Sequence, residues 1–122
     1  MKHSRTQGRN HRVTAENIAF LEEEFRSRAL QYPHSKIFLL PALAAREFLL
    51  RCRDFDLVLL GLDGFIVHDG PQLQPTLEFS SDYSSPDMKS LPMDAKYKMA
   101  LELVDRPAAS HLYFEIYIDD QN

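Results

Sequence analysis

Apolar residues return every three or four positions in the first part of the chain, which is the spacing of an amphipathic helix. Thr14 is a good N-cap, and Val13 and Ile18 have the spacing of a hydrophobic staple. Pro33 ends the pattern, because the residue before a proline is pushed out of helical geometry. The sequence therefore predicts a first helix from Thr14 to the residues before Pro33. Its apolar face comprises Ile18, Leu21, Phe25, Ala29 and Tyr32.

Two further helical patterns follow. One covers roughly 42–53 after Pro41, and its apolar face comprises Ala44, Ala45, Phe48, Leu49 and Cys52. The other has Pro92 in its first turn, and its apolar face comprises Met93, Tyr97, Ala100, Leu101 and Val104. The segment KIFLL at 36–40 fits either a short strand or the start of the second helix, and periodicity leaves both open.

Between the second and third helices the spacing becomes that of strands. LVLLGL at 57–62 and FIV at 65–67 are apolar runs separated by Asp63-Gly64. An Asp-Gly pair between two such runs is a strong hairpin signal, because the turn needs positive φ at both central residues. The sequence therefore predicts a hairpin at Asp63-Gly64, a second turn at residues 68–71, and a strand at 76–79 with Leu77 and Phe79 on one side.

HLYFEIYID at 111–119 alternates between apolar and polar residues. Tyr113, Glu115, Tyr117 and Asp119 project from the polar side, so this strand belongs to a sheet with one solvated face. The elements together predict a single α+β domain over 14–122, with a mostly antiparallel sheet of about four strands and three helices packed on one face. We expect residues 1–13 to be a basic, disordered arm.

Charge is distributed unevenly along the 122 residues. Residues 1–13 carry +4, residues 14–53 carry +1 (six basic, five acidic) and residues 54–122 carry −9 (four basic, thirteen acidic), which gives the net charge of −4. The acidic half should repel nucleic acid and anionic membranes and attract basic proteins.

The single cysteine, Cys52, excludes an internal disulfide, and no apolar segment is long enough to cross a bilayer. We therefore expect a cytoplasmic protein.

No catalytic or metal-binding motif stands out. GLDGF at 61–65 lacks the spacing and the lysine of a phosphate-binding loop, and His68-Asp69 has too few companions for a metal site. We expect no cofactor, no metal and no enzymatic activity. If the protein is instead a small enzyme, its acid–base groups would come from His68, His111, Asp82 and Glu115.

Tyrosines interspersed with carboxylates are typical of a protein interface, since tyrosine anchors contacts at low entropic cost. A plain acidic surface is the alternative. The expected partner-binding residues are Asp63, Asp69, Asp82, Tyr83, Tyr113, Glu115, Tyr117 and Asp119.

Three short motifs, GLDGF at 61–65, DYS at 82–84 and YFEIYID at 113–119, make the acidic domain resemble the small immunity proteins of bacterial polymorphic-toxin systems. The resemblance implies a stoichiometric inhibitor that occludes the active site of a cognate toxin. If the toxin is a nuclease, carboxylates would stand in for phosphates in its basic cleft. The basic N-terminal arm departs from a simple acidic mimic. A homodimeric regulatory or structural protein, whose Tyr113/Tyr117 face meets its own copy, remains the alternative.

Overall fold

The computed structural model describes residues 7–30, 38–69 and 72–119, with side chains from residue 16 onward. Within these ranges it contains three α-helices and four strands, with 3₁₀ turns at Arg26–Arg28 and Pro107–His111. In chain order the elements are α1 (Gln7–Phe25), β1 (Leu40–Pro41), α2 (Ala42–Asp54), β2 (Val58–His68), β3 (Gln72–Asp82), α3 (Met93–Val104) and β4 (Tyr113–Asp119).

The four strands form one sheet in the order β1-β4-β2-β3, and every neighbouring pair is antiparallel. Leu59, Leu62 and Phe114 project from one face of this sheet into a single core with the apolar sides of the three helices. Phe25 and Phe48 join α1 to α2 in this core, with ring centroids 5.3 Å apart in an edge-to-face arrangement. The predicted α+β class is confirmed.

The first helix differs from its prediction at both ends. It begins at Gln7, so Thr14 lies inside the helix and does not cap it, and it ends at Phe25. The chain turns extended at Ala29, and the Leu30 N–H donates to the Leu39 carbonyl at 2.8 Å. This long-range backbone pairing replaces the last predicted helical turns. Tyr32 and residues 1–6 of the predicted arm lie outside the described residues.

The second helix matches its prediction, and all five residues of its predicted apolar face are buried. It ends in a Schellman motif, in which the Leu57 N–H donates to Cys52 O at 3.0 Å and the Asp56 N–H donates to Arg53 O at 2.9 Å. Asp56 has the left-handed φ of 58° that this motif requires.

Leu40–Pro41, at the end of the ambiguous segment 36–40, is a short strand paired with β4.

The predicted hairpin at Asp63-Gly64 is wrong. β2 continues through both residues, which pair with Glu115 and Phe114 of β4, and neither has the positive φ that a type I′ turn needs. His68 instead pairs with Gln72, so β2 and β3 are joined between these two residues, and residues 70–71 of the second predicted turn lie outside the described residues. Pairing with β4 thus overrides the local turn preference of Asp63-Gly64.

A large bulge in β3 lies opposite Asp63. Leu62 pairs with Ser81 and Gly64 pairs with Thr76, so residues 77–80 of β3 have only Asp63 across from them. The Ser80 hydroxyl donates to Thr76 O at 2.8 Å, and the Thr76 hydroxyl donates to Gly64 O at 3.1 Å. The Ser80 bond closes the bulge within β3, and the Thr76 bond ties the base of the bulge to β2.

The bulge separates two side chains that were predicted to share a side. Phe79 is buried against Phe114, with ring centroids 6.4 Å apart, whereas Leu77 is 90% exposed. The prediction that Leu77 and Phe79 lie together is wrong because a bulge interrupts the strict alternation of a strand. Gly64 permits the arrangement, since a Cβ there would lie 2.8 Å from Phe79 Cβ and 3.0 Å from Phe79 O.

We predict that Gly64→Ala lowers the free energy of unfolding by about 1–3 kcal/mol, the usual cost of overpacking a core. The new methyl group would collide with a side chain and a backbone oxygen that are fixed by the bulge. Urea unfolding of the two proteins measures the difference. A neutral or stabilising effect, which is the usual result of Gly→Ala at an open extended position, would contradict this account of the bulge.

We also predict that the protein loses stability above about pH 9. Burial raises the pKa of the Cys52 thiol from 9.0 to about 12 and raises the pKa of the Tyr97 and Tyr83 phenols above 10.0. Above those ordinary values the unfolded chain releases protons that the folded chain retains, which favours unfolding by about 1.4 kcal/mol per pH unit for each group. Urea midpoints from pH 8 to 11 test this, and a constant midpoint would contradict it.

Candidate protein-binding surface

The face of the sheet opposite the helices, here called the open face, carries a mixed set of aromatic, apolar and acidic side chains. The strand register places Asp63 across from Glu115, Phe65 across from Tyr113, and Pro75 of β3 beyond Phe65. Tyr117 is 37% exposed, and the side chains of Tyr113 and Phe65 are half-buried. The alternating strand β4 therefore presents its predicted polar side on this face.

Two carboxylates stand directly opposite each other in the middle of the open face. Asp63 and Glu115, the carboxylate pair, occupy facing positions of β2 and β4, where like charges are unfavourable. The Tyr117 hydroxyl lies 2.8 Å from Asp63 Oδ2 and 2.8 Å from Glu115 Oε1. A phenol has one hydrogen to donate, so Tyr117 satisfies one carboxylate at a time and leaves the other available.

The same contacts keep the Tyr117 phenol protonated. Desolvation first, and then the hydrogen bonds to Asp63 and Glu115, raise the pKa of Tyr117 well above its ordinary value of 10.0. Tyr117 therefore acts as a hydrogen-bond donor to the carboxylate pair throughout the physiological pH range.

A cleft with a volume of about 580 Å³ opens beside the carboxylate pair. Its boundary is formed by the bulged part of β3, by β2 and by Tyr117, and its lining residues are Leu60, Asp63, Leu77, Ser80, Ser81, Asp82, Ser84 and Tyr117. Asp82 Oδ1 accepts the Ser84 hydroxyl at 2.6 Å and the Ser84 N–H at 3.0 Å, which lowers the pKa of Asp82. Asp82 thus contributes an ionised carboxylate to the cleft.

The sheet has no lysine or arginine to balance its acids. The four strands contain no lysine or arginine, and their acidic residues are Asp63, Glu78, Asp82, Glu115 and Asp119. Arginines instead pair with carboxylates outside the sheet: Arg26 with Glu23, Arg28 with Glu47, Arg46 with Asp105 and Arg51 with Glu24. No such pair involves Asp63, Asp82 or Glu115 within the described ranges. Among the described residues, the charged side chains of the open face therefore give it a negative potential.

Of the eight residues expected to bind a partner, the structure brings five together. Asp63, Tyr113, Glu115 and Tyr117 share the open face, and Asp82 lies in the adjoining cleft. Asp119 lies at the end of β4 across from Val58, and Asp69 lies at the far end of β2.

Tyr83 is a correction to the predicted surface, because its side chain is completely buried. Its N–H donates to Leu60 O at 2.8 Å and prolongs the pairing of β2 with β3, which carries the ring into the core. Tyr83 thus cannot touch a partner, whereas the exposed Leu77, which the strand pattern placed on the same side as Phe79, can do so.

The residues that would serve a small enzyme do not converge in the cleft. It contains Asp82 but not His68, His111 or Glu115. His68 lies five residues along β2 from Asp63, roughly 17 Å away at strand spacing, where its Nε2 lies 2.7 Å from Gln74 Oε1. Across the described ranges, no three histidine, cysteine or acidic side chains are grouped so that they could hold a metal ion.

None of the helices in the described ranges combines the length and apolar character needed to cross a membrane. Comparison of the sequence with models of known protein families and with curated proteins finds no match.

We predict that Glu115→Gln stabilises the free protein by about 0.2–1 kcal/mol, because it removes the like-charge repulsion in the carboxylate pair. Glutamine keeps an oxygen that can accept the Tyr117 hydroxyl. Urea unfolding at low ionic strength measures the gain, which should shrink in 0.5 M salt. Glu102→Gln, on the exposed side of α3, is the matched control. Equal stabilisation by both variants would mean that total charge, not the pair, is responsible.

Proposed function

We propose that this protein is a non-catalytic protein-binding module whose open face binds a basic surface on a partner protein. The carboxylate pair carries the proposal. Asp63 and Glu115 face each other with one phenol hydrogen between them and with no lysine or arginine in the sheet. Such a local conflict is typical of functional sites, where stability is exchanged for recognition.

A cationic side chain from a partner would resolve this conflict. It would supply the hydrogen-bond donors and the positive charge that the carboxylate pair lacks. Tyr113 and Tyr117 would flank the contact with rigid aromatic rings, which are enriched in binding hot spots. Charge attraction would also speed association with a basic partner.

We further propose that the partner is a bacterial toxin domain, and that this protein acts in the cytoplasm as its immunity protein. This more specific function rests on the resemblance of GLDGF, DYS and YFEIYID to such proteins. The acidic open face supports it, since nuclease toxins bind phosphates in basic clefts that carboxylates can occupy. The same negative potential argues against binding of nucleic acid by the open face itself.

Self-association through the open face is less well supported. An isologous dimer would place the same surface on both sides of a two-fold axis. The carboxylates of one copy would then meet those of the other, with no lysine or arginine of the sheet to separate them. A heterologous basic partner avoids this repulsion.

We predict that the protein, immobilised and exposed to lysate of its source organism at low salt, retains one partner whose toxic or enzymatic activity it inhibits at a 1:1 ratio. Glu115→Lys and Tyr113→Ala should weaken the complex by at least tenfold, because they reverse a charge and remove an anchor at the centre of the face. Binding is measured by surface plasmon resonance, and inhibition is measured by the purified partner's own assay.

Glu102→Lys is the matched control, since it makes the same charge change on the exposed side of α3. Urea unfolding verifies that each variant is folded. Normal affinity of the two open-face variants would exclude this face as the interface. A partner that binds but keeps its full activity would contradict the immunity function while leaving the binding module intact.

A further inference from the structure

The cleft beside the carboxylate pair has two kinds of wall. Leu60 and Leu77 supply apolar surface, and Leu77 is 90% exposed although it is a large hydrophobic residue. Asp63 and Asp82 supply carboxylates, and Asp82 is held ionised by Ser84. A molecule that fills this cleft must therefore combine an apolar stem with a polar end.

The hydrogen-bonding groups of the cleft select the nature of that polar end. The hydroxyl hydrogens of Ser80 and Ser84 are donated to Thr76 O and to Asp82 Oδ1, and the Tyr117 hydrogen is donated to the carboxylate pair. The Ser80 oxygen also accepts the Gly64 N–H at 3.4 Å, so the acceptor capacity that remains in the cleft lies mainly on the carboxylates of Asp63 and Asp82. The complementary polar end is therefore rich in donors and positively charged.

We infer that the cleft is a receptor for an arginine side chain of the partner protein. Its methylenes would pack between Leu60 and Leu77, and its guanidinium would donate to Asp63 and Asp82. Arginine fits better than lysine because the guanidinium presents five donors in a plane and is more weakly hydrated than an ammonium group. A single arginine side chain is far smaller than the cleft of about 580 Å³, which leaves room for the flanking backbone of the partner.

This inference rests on the proposed function and specifies one contact that the partner protein would make. The outer strand itself is poorly suited to recruit a partner strand, because Pro75 removes a backbone donor from β3 and the bulge at 77–80 breaks its edge. Side-chain insertion into the cleft is therefore favoured over extension of the sheet.

The test uses the intact protein and small probes, without any partner. ¹⁵N-labelled protein is titrated with N-acetyl-arginine amide, N-acetyl-lysine amide and N-acetyl-norleucine amide. We expect saturable shifts of the amide signals around the cleft with the arginine probe, in the millimolar range that suits so small a ligand. We expect weaker binding of the lysine probe and no saturation with the norleucine probe.

Variants then locate the binding. Asp63→Asn should weaken the arginine probe about tenfold, the usual effect of losing a charge-assisted hydrogen bond, and Leu77→Ser about threefold through lost packing. Both side chains lie at the surface or half-buried, so the fold should persist, which the amide spectrum itself reports. Asp69→Asn is the matched control. It removes the same charge at the end of β2, where the side chain does not line the cleft.

Each outcome has one meaning. Specific arginine binding that is lost in Asp63→Asn and kept in Asp69→Asn supports the receptor. Equal weakening by both aspartate variants, or equal binding of the lysine and arginine probes, overturns it in favour of general attraction to an acidic surface. Absence of saturable binding also overturns it. Because no partner is present, failure here leaves the proposed function standing, and failure to find a partner leaves this result standing.

Discussion

Phe79 reaches the core by crossing the backbone of Gly64, and both faces of the sheet depend on this contact. On the helix side, it places the ring of Phe79 against that of Phe114. On the open side, the residues that bulge around Phe79 leave Leu77 exposed beside Asp63 and form the wall of the cleft. One glycine therefore permits both the packing of the core and the shape of the candidate binding surface.

The distribution of charge gives this surface its character. Arg28, Arg46 and Arg51 are paired with carboxylates outside the sheet, whereas the strands hold acidic residues and neither lysine nor arginine. Charge is thus neutralised where the helices pack and left without a lysine or arginine counterpart within the sheet. Such an arrangement costs some stability in the free protein, and binding of a cation would recover that stability.

Local sequence signals predicted the elements that local interactions decide. The apolar face of α2 and the alternation of β4 match the structure because each depends only on its own periodicity. The hairpin predicted at Asp63-Gly64 is wrong because both residues pair with β4, which keeps β2 extended through them, and no local sequence signal reports that pairing. The burial of Tyr83 could not be predicted from local signals either, because it depends on a backbone hydrogen bond to Leu60 of the neighbouring strand β2, which is distant in sequence.

The order of the strands bears on how the chain acquires its structure during synthesis. β4 lies between β1 and β2 although it follows β1 by about 70 residues, which take roughly 4 to 14 s to translate. The β2–β3 hairpin can form as soon as it leaves the ribosome, but β1, which among the described strands pairs only with β4, lacks a partner in the sheet until β4 arrives. The core side chains of β4, Phe114 among them, are missing during that interval, so the apolar sides of α1 and α2 stay partly uncovered until β4 inserts.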